Sequence, residues 1–301
     1  METIEKFKKL AKDRVPEISN EDDIKILLEK LNLYEGKYLK RAAVLLFGKN
    51  PQRYYIQSHS KIGRFLSETD IQSSDIIEGN LIEQVEKIMD VLRLKYLKAY
   101  ISYEGMHRRE KLEYPYEALR EAVINALVHR DYTNTSNLQI KVYDDKLVMY
   151  NGATLSDEVP IDKFDKPHQS KPFNPMIANV FYKAGFIENW GRGTTNIIAN
   201  CLSYGLPKPM FEYEWTAVRV TFFKIDKINE GINEGINEGI NEGIKSVFKY
   251  IQQKPGKRVS QISKDTNIPA KTIERWIKQL KEQDKIEFLG SKKTGGYWEK
   301  I

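Results

Sequence analysis

The sequence contains very little cysteine and no long apolar segment. Cys201 is the only cysteine among 301 residues, which excludes an internal disulfide and a cysteine-based metal cluster. No apolar run reaches the length that spans a bilayer. The first residues lack the apolar stretch of a secretory signal. These absences predict a cytoplasmic protein without a membrane partner.

Two enzyme signatures are also missing. The phosphate loop Gly-x-x-x-x-Gly-Lys-Ser/Thr does not occur, which excludes a helicase motor of that type. None of the four histidines lies in the pattern of a dimerising helical hairpin, which argues against a sensor histidine kinase.

Positive charge is concentrated at one end of the chain. The formal net charge is +6. Residues 245–301 contain 14 Lys and Arg against 6 Asp and Glu, whereas residues 1–244 contain 34 against 36. The final segment therefore favours contact with a polyanion.

Changes in sequence pattern divide the chain into four predicted parts. They are a mixed α/β segment over 1–110, a second domain over 111–224, a linker over 225–244 and a compact domain over 245–301. Residues 42–47 predict either a strand or a buried helix, and residues 151–172 show little regular pattern. Apolar periodicity predicts helices over 23–31, 81–100, 116–127, 176–184 and 194–204, and strands over 138–143, 146–150 and 217–223.

The linker repeats Ile-Asn-Glu-Gly four times from Ile228 to Gly243. A period of four drifts by about 40° per repeat on an α-helix, and each glycine costs roughly 1 kcal/mol relative to alanine. A flexible or marginally helical spacer is the favoured interpretation. The alternative is a helix stabilised by pairing with a second copy of the chain.

The basic C-terminal segment has the order of a helix-turn-helix with a β-hairpin wing. Helices are predicted over 246–252, 260–266 and 269–283, and strands over 286–289 and 297–300. On the third helix Ile273, Ile277 and Leu280 share one face, with Trp276 on its flank. This division is typical of a recognition helix, which turns its apolar side to its own domain and its basic side to a DNA groove.

The candidate DNA contacts follow from this geometry. The segment resembles the winged-helix domains of bacterial and archaeal regulators, so we expect double-stranded DNA as a partner. A solvated basic face, as any surface helix shows, is the alternative. The candidate residues are Lys271, Arg275 and Lys278 on the basic face, Thr272 and Gln279 beside it, and Lys292 and Lys293 at the wing tip.

A second candidate site lies on the helix predicted after Pro115. Glu121 and Asn125 are four residues apart and share a helical face, while Ala122, Val123 and Ala126 form the packed side. A carboxylate can orient water and an amide oxygen can bind Mg²⁺, so the pair suits a metal–nucleotide site. An isolated pair of this kind is more often a solvated surface pair.

Four segments resemble one family. They are Glu121 to Tyr132 (EAVINALVHRDY), Asn151-Gly152 after a strand, Gly185 to Gly193 (GFIENWGRG) before a helix, and Leu45 to Arg53 (LLFGKNPQR). The family is the divergent Bergerat-type, GHKL-like ATPase domain of transcriptional regulators that are described as similar to the C-terminal part of the helicase RecG. The matches span residues 40–300.

The resemblance implies ATP and Mg²⁺ as ligands and a role for each matching residue. Glu121 would be the water-orienting base and Asn125 the Mg²⁺ ligand. Asn151 and Gly152 would lie at the adenine-binding turn, and residues 153–172 would form the ATP lid. The residues expected near the phosphates are Gly191, Gly193 and Thr194, where a helix N-terminus favours anions.

The sequence departs from the family at the adenine turn. Relatives carry Asn-Pro-Gly-Gly there and standard Bergerat sites carry Asp-x-Gly-x-Gly, whereas this chain has Asn151-Gly152-Ala153-Thr154. The carboxylate that recognises adenine in standard Bergerat sites is therefore missing. Full-length relatives often begin with a Schlafen-AlbA-like domain, of which no complete copy is recognisable. We expect Met1 to start a shortened form.

The combined expectation is an α+β protein in which a mixed α/β segment precedes a GHKL-like α/β sandwich and a winged helix-turn-helix follows it. It would be a homodimeric, DNA-binding transcriptional regulator with an ATP-binding domain and weak Mg²⁺-dependent ATPase activity. The alternative is ATP-independent DNA binding, with the GHKL-like domain as a scaffold or dimerisation module. His129, Arg130 and Asp131 are expected to form a structural cap or lid contact rather than a catalytic group.

Overall fold

A computed structural model of the chain describes residues 2–104, 107–155, 160–166, 171–188, 192–224, 244, 246–266, 268–282, 285–291 and 295–300. The chain divides into two compact units, Met1–Ile225 and Asp226–Ile301. The repeats from Ile228 to Gly243 lie outside the described residues, so both interpretations of the linker stay predictions. None of the described helices combines the length and the apolar character needed to cross a bilayer.

The first unit contains eight α-helices within its described residues. They are α1 Glu2–Ala11, α2 Pro16–Ser19, α3 Ile24–Lys30, α4 Arg41–Phe47, α5 Leu81–Val91, α6 Tyr116–His129, α7 Pro175–Lys183 and α8 Gly193–Ser203. Local sequence explains several helix starts. The Asp23 side chain accepts hydrogen bonds from the first amides of α3, and Asn80 caps α5 through the Glu83 amide.

The strands of the first unit form one mixed sheet and two separate hairpins. The strands are β1 Tyr34–Glu35, β2 Tyr38–Leu39, β3 Ser60–Phe65, β4 Ile71–Ile77, β5 Ala99–Glu104, β6 His107–Leu112, β7 Leu138–Val142, β8 Lys146–Gly152, β9 Met210–Glu214 and β10 Ala217–Phe223. The six-stranded sheet has the order β4-β3-β7-β8-β10-β9. Its β3–β7 pair is parallel and its other pairs are antiparallel. The unit is therefore α+β with a mixed sheet.

Helices cover one face of this sheet. Leu138, Ile140 and Val142 alternate along β7 and join a continuous core with residues of α1 and α3 to α8. The intervening Gln139 and Lys141 face the other side. Because β3 and β4 belong to the same sheet as β7, the core includes residues on both sides of position 110.

Most of the predicted elements are confirmed, but the helix predicted over 81–100 is wrong at its C-terminal end. Helix α5 stops at Val91, a π-helical turn follows over Leu92–Tyr96, and β5 begins at Ala99. The Tyr96 hydroxyl donates to Asp75 Oδ2 at 2.5 Å, and Lys95 Nζ lies 2.6 Å from the same oxygen. These contacts with β4 hold the π turn in place, and β5 starts three residues later.

The second unit has three helices and one hairpin in its described part. Residues 246–253 form α9, followed by α10 Val259–Thr266, α11 Ala270–Glu282, β11 Ile286–Leu289 and β12 Gly296–Glu299. Ile273, Ile277, Leu280 and Trp276 are all buried in its core, so the predicted apolar face of the third helix is confirmed. Lys257 forms an isolated bridge with Tyr297 of β12.

Candidate functional site

Helix α6 presents Glu121 and Asn125 one turn apart. The Asn125 Nδ2 atom donates a hydrogen bond of 3.3 Å to Oε1 of Glu121. The other side of the helix is fixed because Ala122, Val123 and Ala126 are buried in the core. The two polar side chains are therefore held side by side by a rigid element.

The first residue of α8 lies directly against this pair. A Cβ atom placed on Gly193 would be 2.5 Å from Oε1 of Glu121 and 2.9 Å from Nδ2 of Asn125. Any other residue here would require the Glu121 and Asn125 side chains or the start of α8 to shift. No side chain in the described part of the chain caps the start of α8, whose first amide N–H groups have no partners within the helix. The geometry thus brings carboxylate and amide oxygens, which suit Mg²⁺, beside a helix N-terminus, which suits a phosphate group.

Burial changes the acid–base chemistry of Glu121. Desolvation raises the pKa of its carboxyl group, and the hydrogen bond from Asn125 opposes part of that rise. A carboxylate with a raised pKa is a stronger proton acceptor than an exposed one.

A cavity of about 180 Å³ adjoins the pair. Its polar lining combines two carboxylates with two basic side chains. The polar residues are Glu121, Asn125, His129, Glu188 and Arg192. Ligand pockets usually measure roughly 300–1,000 Å³, so this cavity is small for a nucleotide in the conformation observed.

Asn151 and Gly152 lie within β8 rather than in a turn, which corrects the expected geometry. Asn151 is paired with Val218 and Gly152 with Ala217 of β10. Strand alternation places Asn151 on the helix-covered face, together with Met149. Its Oδ1 atom is buried and has no hydrogen-bond partner among the described residues.

Of the other residues expected near the phosphates, the structure describes Thr194 but not Gly191. Thr194 is the second residue of α8, and its Oγ1 atom is buried without a hydrogen-bond partner in the described part of the chain. Gly191 lies outside the described residues, as do residues 156–159 and 167–170 of the expected lid. The roles of these residues stay predictions.

Arg130 and Asp131 make structural contacts after α6, whereas the cap or lid contact expected of His129, Arg130 and Asp131 stays a prediction. Arg130 is fully buried and donates to the carbonyl oxygens of Gln57, His59 and Ser136. Asp131 accepts a hydrogen bond of 2.8 Å from the Thr133 amide. Both side chains therefore fix the connection to β7.

Arg14 supports a wall of the cavity, a role that the sequence did not indicate. It lies just after α1, and its guanidinium donates to the carbonyl oxygens of Tyr182 at 2.8 Å and Ile187 at 2.7 Å. Ile187 lines the cavity, so Arg14 supports one wall from a distant part of the chain. Nothing in the local run Lys-Asp-Arg-Val distinguishes this arginine from a solvated one.

The candidate DNA contacts of the second unit lie mostly on α11. Lys278 is exposed and Thr272 is partly exposed. The backbone positions of Lys271, Arg275 and Gln279 are on the same helix. Lys292 and Lys293 lie outside the described residues.

Comparisons with known proteins point to the same part of the first unit. Residues 135–222 match the family described as "Putative ATP-dependent DNA helicase recG C-terminal". Glu121 and Asn125 precede the matched region, whereas Asn151 and Gly193 lie inside it. No curated protein matches the chain.

The fold is similar to that of a protein of known structure. The crystal structure of the DIP2311 protein from Corynebacterium diphtheriae superposes with a TM-score of 0.60 at 14% sequence identity, covering 98% of this chain. The chain spans 61% of that protein's length. At this identity the likeness concerns the fold alone.

Proposed function

We propose that this chain is a DNA-binding transcriptional regulator whose first unit binds ATP with Mg²⁺. The observation that carries the proposal is the contact of Gly193, at the N-terminus of α8, with the Glu121–Asn125 pair. The family match over residues 135–222 supports the same assignment. ATP binding would then be located around residues 111–224 and DNA binding around residues 245–301.

The residues present fit a metal–nucleotide ligand. The Oδ1 atom of Asn125 is a hard oxygen donor of the kind that Mg²⁺ prefers. The free amides at the start of α8 would bind phosphate oxygens, as would the unpartnered Thr194 hydroxyl. The buried Oδ1 atom of Asn151 is an unused acceptor, which an adenine amino group would satisfy. When bound, Mg²⁺ supplies charge neutralisation for the phosphates.

Glu121 would orient a water molecule and accept its proton in a weak ATPase reaction. Its raised pKa suits this role, because a base is most effective when its pKa lies near the working pH. The Asn125 amide keeps the Glu121 side chain in position through their hydrogen bond.

A second candidate function is ATP-independent DNA binding, with the first unit as a scaffold or dimerisation module. The cavity of about 180 Å³ favours it. So does Ala153, which is buried at a position where relatives carry glycine. Calorimetry therefore has to separate the two functions.

The second unit supports the DNA-binding part of the proposal. Three helices followed by a two-stranded hairpin, with the isolated bridge at Lys257, are the order expected of a winged helix-turn-helix and support this part of the proposal. Helix α11 buries one apolar face and would present the opposite face to the major groove. We further propose that the regulator acts in the cytoplasm as a homodimer.

The deciding experiment is calorimetry of Mg²⁺-ATP binding to the full chain. We expect weak binding by the wild type, none by Asn125→Ala, and unchanged affinity with reduced hydrolysis for Glu121→Gln. Asn20→Ala, at an exposed position of the same unit, is the matched control and should bind like the wild type. Equal affinities of wild type and Asn125→Ala would eliminate the site, and heat changes absent from every protein would overturn ATP binding and leave ATP-independent DNA binding as the proposed function.

A further inference from the structure

The hairpin of β5 and β6 is an arm that stands apart from the six-stranded sheet. Its strands pair only with each other among the described residues, with Ile101 opposite Glu110 and Tyr103 opposite Arg108. The base of the arm is anchored because the Tyr204 hydroxyl donates to the Leu112 carbonyl oxygen at 2.6 Å. A two-stranded hairpin without a third strand or a packed face is only marginally stable in water.

One face of the arm exposes apolar side chains. Strand alternation puts Ile101 and Tyr103 on the same face, and they are 53% and 72% exposed. Large side chains exposed next to each other in this way are typical of a protein–protein contact.

The same face carries one cation and one anion. Arg108 Nη2 lies 2.5 Å from Glu110 Oε1, and both side chains are about half exposed, at 55% and 52%. A two-fold axis at this face would bring Arg108 of one copy toward Glu110 of the other, so the face is complementary to itself. A polyanion at this face would be repelled by the carboxylate of Glu110, which lies beside Arg108.

We propose that the β5–β6 arms of two copies of this chain meet through this face and bury Ile101 and Tyr103. This inference rests on the homodimer proposed above and gives that dimer its interface. Pairing of two arms would also give each hairpin the packed face that it lacks in a single chain, and would thereby stabilise it.

Sedimentation of the full chain over a range of concentrations tests the interface. Tyr103→Asp should raise the dimer dissociation constant by about 30-fold or more, the effect of removing a central aromatic anchor. The control is Tyr38→Asp, an exposed tyrosine in the β1–β2 hairpin that is 78% exposed and should leave the mass distribution unchanged. The six-stranded sheet does not include the arm, so at a concentration where both proteins are monomeric the thermal midpoint of the variant should match that of the wild type.

A charge exchange tests the self-complementary pair. Arg108→Glu and Glu110→Arg should each weaken the dimer, and the double variant should restore it. Ile101→Cys or Tyr103→Cys should give a disulfide-linked dimer on oxidation, whereas Tyr38→Cys should not. These cysteine variants retain an uncharged side chain at the tested position, so they report on the interface even if Tyr103→Asp disturbs the arm.

The outcomes separate this inference from the proposed function. A chain that is monomeric at every concentration, or a dimer insensitive to all of these substitutions, would overturn the inference. Reduced binding of duplex DNA by Tyr103→Asp without a change in mass would assign the arm to nucleic acid and overturn it as well. A dimer that Tyr103→Asp dissociates would support it even if the wild type binds neither ATP nor DNA.

Discussion

Gly193 approaches Glu121 so closely that a Cβ atom on residue 193 would lie 2.5 Å from the carboxylate oxygen Oε1. The contact joins α8 to α6, although Gly193 and Glu121 are 72 residues apart in the chain. Because Asn125 Nδ2 would be only 2.9 Å from the same Cβ atom, neither polar side chain could keep its observed position beside a larger residue 193 unless α8 moved.

The first prediction is that Gly193→Ala weakens Mg²⁺-ATP binding and destabilises the first unit. The added methyl group must displace the start of α8 or the Glu121 side chain, which as overpacking costs about 1–3 kcal/mol. Calorimetry should show at least a tenfold loss of affinity, and urea unfolding should show the lower stability. Leu202→Ala, at an exposed position of the same helix, should change neither quantity by a comparable amount.

The second prediction concerns the pH dependence of stability. Burial raises the pKa of Glu121 in the folded state. Its contribution to stability is therefore fully present below the unfolded pKa of about 4.3 and is lost as the pH rises through the folded value. Glu121→Gln, which stays neutral, should raise the thermal midpoint at pH 8 but not at pH 4. The exposed Glu117→Gln in the same helix should show no such gain at pH 8.

Spacing in the sequence predicted the helical part of the site, and the family resemblance alone assigned Gly193 to the same site. Spacing alone placed Glu121 and Asn125 on one face of α6, because a separation of four residues fixes that relation. The contact of Gly193 with Glu121 depends on the packing of α6 against α8, for which no local pattern exists. The support that Arg14 gives to Ile187 is equally long-range.

The strands β7 and β8, on either side of the turn at Asp144-Asp145, were predicted well, as were β10 and β11. The strands β3 and β4 were not predicted. β4 is an edge strand with largely exposed residues, and β3 contains Gly63, so neither shows an apolar alternation. Asn151 and Gly152 have low strand propensity, yet pairing with β10 extends β8 through them.

A third prediction concerns the ion pair of Glu113 and Lys224. Lys224 Nζ lies 2.7 Å from Glu113 Oε2, and the side chains are only 5% and 2% exposed. Lys224→Met should destabilise the first unit by about 3–5 kcal/mol, because it leaves a buried carboxylate without its counter-ion. Adding Glu113→Gln should recover most of that loss. Lys208→Met breaks an exposed pair with Asp165 and should cost no more than about 1 kcal/mol in the same urea titration.

The fourth prediction concerns the turn between β9 and β10. Trp215 and Thr216 adopt φ values of 52° and 59°, a left-handed conformation that favours glycine or asparagine. Thr216→Gly should therefore stabilise the first unit by about 1 kcal/mol in urea unfolding. Thr69→Gly is the control, because Thr69 is exposed in a loop and has no positive φ, so glycine there should destabilise. A loss of stability in Thr216→Gly would contradict this account of strain.

The last prediction is that the full chain binds duplex DNA with a steep dependence on salt. Residues 245–301 carry the excess of positive charge, and phosphate contacts release counter-ions. The slope of log affinity against log salt should be near −0.9 for each phosphate neutralised. Replacing Lys292 and Lys293 by alanine should weaken binding to all sequences alike and flatten the slope by up to about two.

Substitution of Arg275 distinguishes sequence-specific DNA binding from non-specific electrostatic binding. An arginine on a recognition helix can form two hydrogen bonds with a guanine edge. Arg275→Ala should cost about 1–3 kcal/mol on the preferred site and less on unrelated duplexes. Thr272 and Gln279 are the next positions to test in the same way. The control is Lys12→Ala with Lys37→Ala, which removes two exposed charges from the first unit and should leave the slope unchanged. If no salt-sensitive complex forms even at low ionic strength, the hairpin of β11 and β12 would have to serve protein contacts instead, and the DNA-binding part of the proposed function would be wrong.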